Sequence, residues 1–271
     1  MPPPSLVLVT RPAREAAGWV EALRAQGLPA RALPLIGIFP PADLRPLRQA
    51  WRERDRYRAL MFVSANAVEH FRDACPPEAV PRLRTPPGPR LWAPGPGTAA
   101  ALRTAGFAPE AVDTPPPAAG QFDSESLWQV VAPQVRSGDR VLIVRGRDAD
   151  APSAGDAADA GTGREWLTAR LQAAGAGVAL VAAYQRGAPD WSAEDHALAA
   201  RAAGGDAVWL FSSSEAIARL RALRPGQDWS AARALATHPR IADAARAAGF
   251  GAVRGVRPTL PDVSAALRAE G

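Results

Sequence analysis

Lysine is absent from this 271-residue chain; all 32 basic residues are arginine, set against 27 acidic ones for a formal net charge of +5. No five basic residues stand together and aromatic residues make up only 6%, so nothing points to nucleic acid as a partner. Cysteine is nearly absent too: Cys75 stands alone, which excludes an internal disulfide and a thiolate metal cluster. His70, His196 and His238 are scattered, and none has another histidine four residues on, so no metal site is expected. No apolar run approaches the roughly 20 residues that cross a bilayer. The opening MPPPSLVLVTRP lacks the basic start and long apolar stretch of a secretory signal. The expectation is a soluble, cytoplasmic protein with no metal and no membrane partner.

What is present is an alternation of short apolar runs with helical periodicity. SLVLVT is followed by an amphipathic segment from Ala13 to Gln26 and then by ARALPLIGIF. YRALMFVS, RVLIVRG, VALVAAYQ, AVWLFSS and RALATH come later, most of them leading into alanine- or leucine-rich segments. This pattern predicts parallel α/β sheets. Much of it occurs twice. EAAGWVEALRAQGLPARALPLI resembles REWLTARLQAAGAGVALVAAYQ, aligning Gly27 with Gly175. FVSANAVEHF resembles FSSSEAIARL, aligning Ser64 with Ser213, and GPGTAAALRTAGF resembles HPRIADAARAAGF, aligning Gly106 with Gly249. The three separations are nearly equal, so the chain reads as a pseudo-duplicate.

Each repeat opens with a strand that ends in arginine, at Arg11 and Arg145. A lone arginine there is ordinarily a solvated charge. Two at equivalent strand ends point to a ligand, because open α/β sheets bind ligands beyond the carboxyl ends of their strands. Arginine also grips carboxylates in a fork that lysine cannot match. Ser64 and Ser213 end strands as well, with Asn66 and Ser214 close behind; they suit helix caps that face a cleft. In LWAPGPGTAAALRTAGF, Gly95, Gly97 and Thr98 form a helix entrance whose free N–H groups favour an anion. It lacks the lysine of a phosphate loop and the third glycine of a dinucleotide fingerprint. Its counterpart THPRIADAA puts Arg240 and Ile241 where the glycine and threonine stood. Carboxylates fit such a pair better than phosphates.

Taken in order, TRP (10–12), PLIGIFP, FVSANAV, APGPGTAAAL, FDSESLW, VLIVRGR, REWLTARL, AAYQR and FSSSEAI resemble the uroporphyrinogen-III synthase family nearly end to end. The resemblance implies two similar Rossmann- or flavodoxin-like parallel-sheet α/β domains joined by a two-stranded connector, with the active site in the cleft between them. The first domain would be discontinuous, residues 1–36 plus 185–271, and the second would be residues 41–178, with connectors about 37–40 and 179–184. It implies a linear tetrapyrrole substrate, hydroxymethylbilane, with eight carboxylates, cyclised with loss of water and inversion of the last pyrrole. No metal or organic cofactor is implied. Tyr184 matches the family's connector tyrosine and becomes the candidate proton donor, since a phenol with a pKa near 10 stays protonated at neutral pH; simple packing of its ring is the competing role. Arg11, Ser64, Asn66, Gly95, Gly97, Thr98, Ser124, Arg145, Ser213, Ser214 and Arg240 become substrate-binding candidates. Ser124 starts a helix with Asp123 and Glu125, where capping is the default role. A monomer is expected, and a transient contact with hydroxymethylbilane synthase, the upstream enzyme, stays open.

The chain departs from the family pattern at THPRIAD, where Arg240 replaces a hydroxyl contact, and at DADAPSAGDAADAGTG, a low-complexity run that reads as a surface loop or a flap. Two other readings stay open from the residues alone: a non-enzymatic two-domain small-anion binder, and a nucleotide-dependent transferase.

Overall fold

ALMF over Ala59–Phe62 and AVWLF over Ala207–Phe211 are buried at every residue. Strands of that kind need cover on both faces, which is the arrangement of a parallel sheet between helices. The structure, a computed structural model, describes residues 6–84, 88–116, 123–149 and 162–269. The low-complexity run between Arg147 and Arg164 and the TPPPAAGQ segment fall largely outside them. In chain order the strands are β1 (Leu6–Val9), β2 (Ala30–Ala32), β3 (Gly37–Phe39), β4 (Ala59–Phe62), β5 (Arg90–Trp92), β6 (Val112–Asp113), β7 (Arg140–Asp148), β8 (Gly177–Gly187), β9 (Ala207–Phe211), β10 (Arg233–Ala236) and β11 (Ala252–Gly255). The α-helices are α1 (Ala13–Ala25), α2 (Arg45–Arg52), α3 (Ala65–Asp73), α4 (Pro96–Thr104), α5 (Ser124–Val131), α6 (Thr162–Ala173), α7 (Ala193–Ala203), α8 (Ser214–Leu223), α9 (Pro239–Ala247) and α10 (Leu260–Arg268). The chain divides into unit 1, Met1–Ile38 with Gly187–Gly271, and unit 2, Phe39–Arg186.

Unit 1 is built on a five-stranded sheet in the order β2-β1-β9-β10-β11, all pairs parallel. Side chains alternate between its faces as the pleat requires. Leu8, Trp209, Phe211, Ala234 and Ala236 pack with Leu198, Ala199 and Ala202 of α7, Ile217 of α8 and Ile241 of α9. Val7, Val9, Val208, Leu210 and Leu235 pack on the other face with Val20 and Leu23 of α1 and Val263 and Leu267 of α10. Trp209, Phe211, Trp229 and Phe250 meet edge-on or stacked within the first layer.

Unit 2 carries a six-stranded sheet, β3-β8-β7-β4-β5-β6, in which β4 to β8 pair in parallel. Ala59, Met61, Trp92, Val141 and Ile143 face Leu127 and Val131 of α5 and Leu167 and Leu171 of α6. On the other face Phe62 meets Phe71 of α3 edge-on at 5.4 Å, and Phe71 stacks on Trp51 of α2 at 4.4 Å.

Without β3 the second sheet reads β8-β7-β4-β5-β6, the same order as the first with β7 and β8 standing for β1 and β2. The repeat seen in the sequence is therefore a repeat of topology, begun at a different strand. The aligned glycines do the same work in both copies. Gly106 (φ 89°) and Gly249 (φ 97°) follow α4 and α9 in the left-handed region. Phe107 N then donates to Leu102 O and Phe250 N to Ala245 O, a Schellman closure with a buried phenylalanine behind it.

Two glycine substitutions should act with opposite sign. Gly249→Ala has room for its methyl group but keeps φ at 97°, and should cost about 1–2 kcal/mol. Gly18→Ala lies on the solvent-facing side of helix α1, where a Cβ meets nothing within 4 Å, and should stabilise by about 0.5–1 kcal/mol. Denaturant unfolding of both variants checks the pair; equal midpoints would refute the backbone argument.

Candidate functional site

In unit 1 the strand order turns between β1 and β9, with α1 covering one face and α8 and α9 the other. The same turn in unit 2 lies between β7 and β4. Parallel sheets open a crevice at such points, beyond the carboxyl ends of the strands. All the sequence-derived site residues fall along these two edges.

Across the edge of unit 2 they stand in strand order. Tyr184 is on β8, Arg145 on β7, Ser64 and Asn66 follow β4, Gly95, Gly97 and Thr98 follow β5, and Ser124 follows β6. Arg145 is only 4% exposed, and Asn66, Thr98 and Ser124 are also buried. Burial of so much polarity is costly unless partners meet it, so the edge is built for polar contact. Ser64 caps α3: its Oγ accepts from Ala67 N at 3.2 Å. The same oxygen lies 3.2 Å from the Tyr184 hydroxyl. Tyr184 is 6% exposed, and its ring stacks with His70 of α3 at 5.8 Å between centroids. Helix α4 has Gly95 as its cap and no side-chain bond there, so its entrance leaves N–H groups for an anion. At α5 it is Asp123, accepting from Ser126 N at 2.8 Å, that caps; Ser124 is left for other contacts.

In unit 1, Arg11, Ser213, Ser214 and Arg240 share the edge of the adjacent strands β1, β9 and β10. Thr10 anchors the start of the row by donating from Oγ1 to Leu210 O at 2.8 Å. Arg11 is held by Glu15 at 3.2 Å and lies over the Trp19 ring at 4.9 Å. Its Nε is buried with no hydrogen-bond partner, as is the Ser214 hydroxyl. Ser213 caps α8 through Glu215 N at 3.1 Å. Arg240 is exposed, and its backbone N donates to His238 Nδ1 at 3.1 Å. The imidazole thus caps α9 where the sequence showed only the loss of a glycine and a threonine.

An open cavity of about 550 Å³ beside Arg221, Arg224 and Trp229 lies at the opposite, amino edge of the first sheet, away from this chemistry. Cys75 follows α3 at the amino edge of the second sheet, and burial pushes its thiol up, which weakens it as a nucleophile. Among the described residues no three His, Cys, Asp or Glu side chains group as metal ligands, and no helix is long and apolar enough to cross a membrane.

Sequence reasoning missed His70, Gly146 and His238. His70 lies inside the FVSANAVEHF repeat, and Gly146 inside VLIVRGR, so both were visible as motif members but not as neighbours of Tyr184.

Known proteins bear on this geometry. A family model described as uroporphyrinogen-III synthase HemD matches residues 17–263. A uroporphyrinogen-III synthase of Synechococcus elongatus is 30% identical over 228 residues, 83% of this chain and 78% of that protein. The solved uroporphyrinogen-III synthetase of Helicobacter pylori covers 98% of both chains with a TM-score of 0.53 at 16% identity. A mutant uroporphyrinogen-III synthase of Thermus thermophilus gives 0.51 at 18%, covering 98% of this chain and 97% of that one. The two structures speak for the fold, an α/β architecture with parallel sheets; the family model and the cyanobacterial relative speak for descent. This chain belongs to the uroporphyrinogen-III synthase family.

Proposed function

We propose that the chain closes hydroxymethylbilane to uroporphyrinogen III, with loss of water and inversion of the last pyrrole, and that Tyr184 protonates the departing hydroxyl. The family is one of cyclising lyases in haem biosynthesis. Closure requires three things: a proton for the leaving oxygen, shelter of the azafulvene-like cation from water, and a bend that makes the inverted carbon attack. Tyr184 meets the first. Ser64 Oγ lies 3.2 Å from Tyr184 Oη and either hydroxyl can donate to the other; in the productive arrangement Ser64 donates and the phenol proton goes to the substrate. The C–O bond then breaks as the pyrrole nitrogen supplies electrons, the oxygen leaves as water, and the proton lost from the pyrrole carbon that forms the closing bond restores the phenol. No oxidation state changes overall, so the reading calls for no metal or organic cofactor.

The substrate's carboxylates are assigned to Arg145 with the helix entrances at Ser64, Asn66, Gly95, Gly97, Thr98 and Ser124 in unit 2. In unit 1 they fall to Arg11, Ser213, Ser214 and Arg240. Holding a reactive geometry is worth about 7–11 kcal/mol of barrier in favourable cases, so this grip is a large part of the catalysis. We place the enzyme in the cytoplasm as a monomer, receiving its unstable substrate from hydroxymethylbilane synthase by transient contact. The observation that carries the reading is the 3.2 Å contact of the Tyr184 and Ser64 hydroxyls at a buried carboxyl edge. Incubation with hydroxymethylbilane, followed by separation of the oxidised isomers, tests it: isomer III is expected, and isomer I alone would defeat it.

Tyr184→Phe should lower kcat by about 10²–10⁴-fold, the usual worth of a general acid, while binding changes little. Wild-type turnover with full isomer III selectivity would remove the acid role. Arg145→Ala should weaken product binding by about 1.5–3 kcal/mol, the worth of a hydrogen bond to a charged group. Calorimetric titration with uroporphyrinogen III measures this, and unchanged affinity would return Arg145 to a structural charge.

A further inference from the structure

We infer that Gly146 is a positioning residue for the reaction, and that its missing side chain is the space in which the hydroxyl end of Tyr184 lies. The inference rests on the reading of Tyr184 as the proton donor. A Cβ at position 146 would stand 2.4 Å from Tyr184 Cζ, 2.5 Å from Cε2 and 2.8 Å from the hydroxyl oxygen. All three atoms belong to the far end of the ring. The backbone at 146 is outside the left-handed region, so alanine is compatible with its φ, and the glycine is required by space alone.

The pairing of β7 with β8 explains why the ring comes to that spot. Val144 is opposite Val181 and Arg145 opposite Ala182, but Gly146 is opposite Tyr184, so Ala183 is an extra residue in the ladder. Such a bulge moves every later side chain of its strand to the other face. With regular pairing Gly146 would face Ala183 and the tyrosine would project from the opposite side. The bulge turns Tyr184 toward Gly146, the glycine admits its ring, and the hydroxyl reaches Ser64 Oγ at 3.2 Å. The ring also stacks with His70 at 5.8 Å between centroids. A methyl group at 146 therefore pushes on the phenol head and not on the backbone, and moves the hydroxyl off Ser64.

The test is a double-variant cycle read as kcat and KM for hydroxymethylbilane. Gly146→Ala should lower kcat by about 10²-fold, the cost of misplacing a reacting group by roughly 1 Å, with KM little changed. In the Tyr184→Phe background the same substitution should cost less than threefold, because no acid remains to be misplaced; strong non-additivity marks groups that act together. If Tyr184→Phe is impaired and Gly146→Ala is not, or if the two losses multiply, the inference is overturned while the acid role stands. If Tyr184→Phe is fully active, the acid role itself falls. A Gly146→Ala protein that fails to fold is covered by a second pair. Tyr184→Ala with Gly146→Ala should melt with Tyr184→Ala alone, and a clearly lower midpoint for the pair would overturn the inference.

Discussion

Strand β7 hydrogen-bonds to β4 on one side and to β8 on the other, and it runs on to Asp148 after β4 has ended opposite Val144. That overhang governs the rest of unit 2. Where β4 stops, the chain must turn, and Ser64 caps the helix that the turn begins. The backbone amide of Val63 still reaches Val144 O at 3.2 Å, so the capping serine is fixed against β7. The overhanging ladder of β7 and β8 then presents Gly146 and Tyr184 beside it. A shorter β7 would leave the tyrosine with no strand to lie on, and Ser64 would be an ordinary cap.

Much of this was legible in the sequence. Parallel strands are buried on both faces, so they appear as unbroken apolar runs, and the serines and arginines that follow them mark their carboxyl edge. Ser64 and Ser213 proved to be caps at that edge, and the Gly106–Gly249 alignment corresponds to two matched helix ends. The rest was hidden for physical reasons. A bulge is a property of two strands together, so VALVAAYQR gives no sign that Ala183 lacks an opposite number. Gly146 has no unusual φ, and its value lies in what occupies the space beside it. The cap of the THPRIAD turn was hidden because an imidazole acceptor at His238, in the place aligned with Gly95, is an uncommon helix cap.

The two sheets share one strand order read from different starting points, and charge is distributed in the same way on both. Each edge pairs a strand-end arginine with serine-capped or glycine-capped helix starts, so backbone dipoles and guanidinium groups add on one side of each sheet. Lysine-free composition suits this arrangement, because planar forks hold carboxylates at fixed angles. Arg11 and Arg145 are nevertheless not equal. Arg145 is 4% exposed, whereas the side chain of Arg11 is 18% exposed, paired with Glu15 and set over Trp19, so the two copies match in topology and differ in how deeply the strand-end charge is set.

The different starting points also set how far apart in sequence each sheet's partners lie. Unit 2 is one continuous stretch, but Thr10 must find Leu210, 200 residues away in sequence, before unit 1 has a sheet. Contacts so distant are slow to form. Strands β3 and β8 are neighbours in the second sheet, and they carry Ile38 and Gly187, the residues at which the chain passes between the units. A folded stretch between the two pieces of unit 1 leaves less free chain for their pairing to close, and so lowers the entropy cost of that closure.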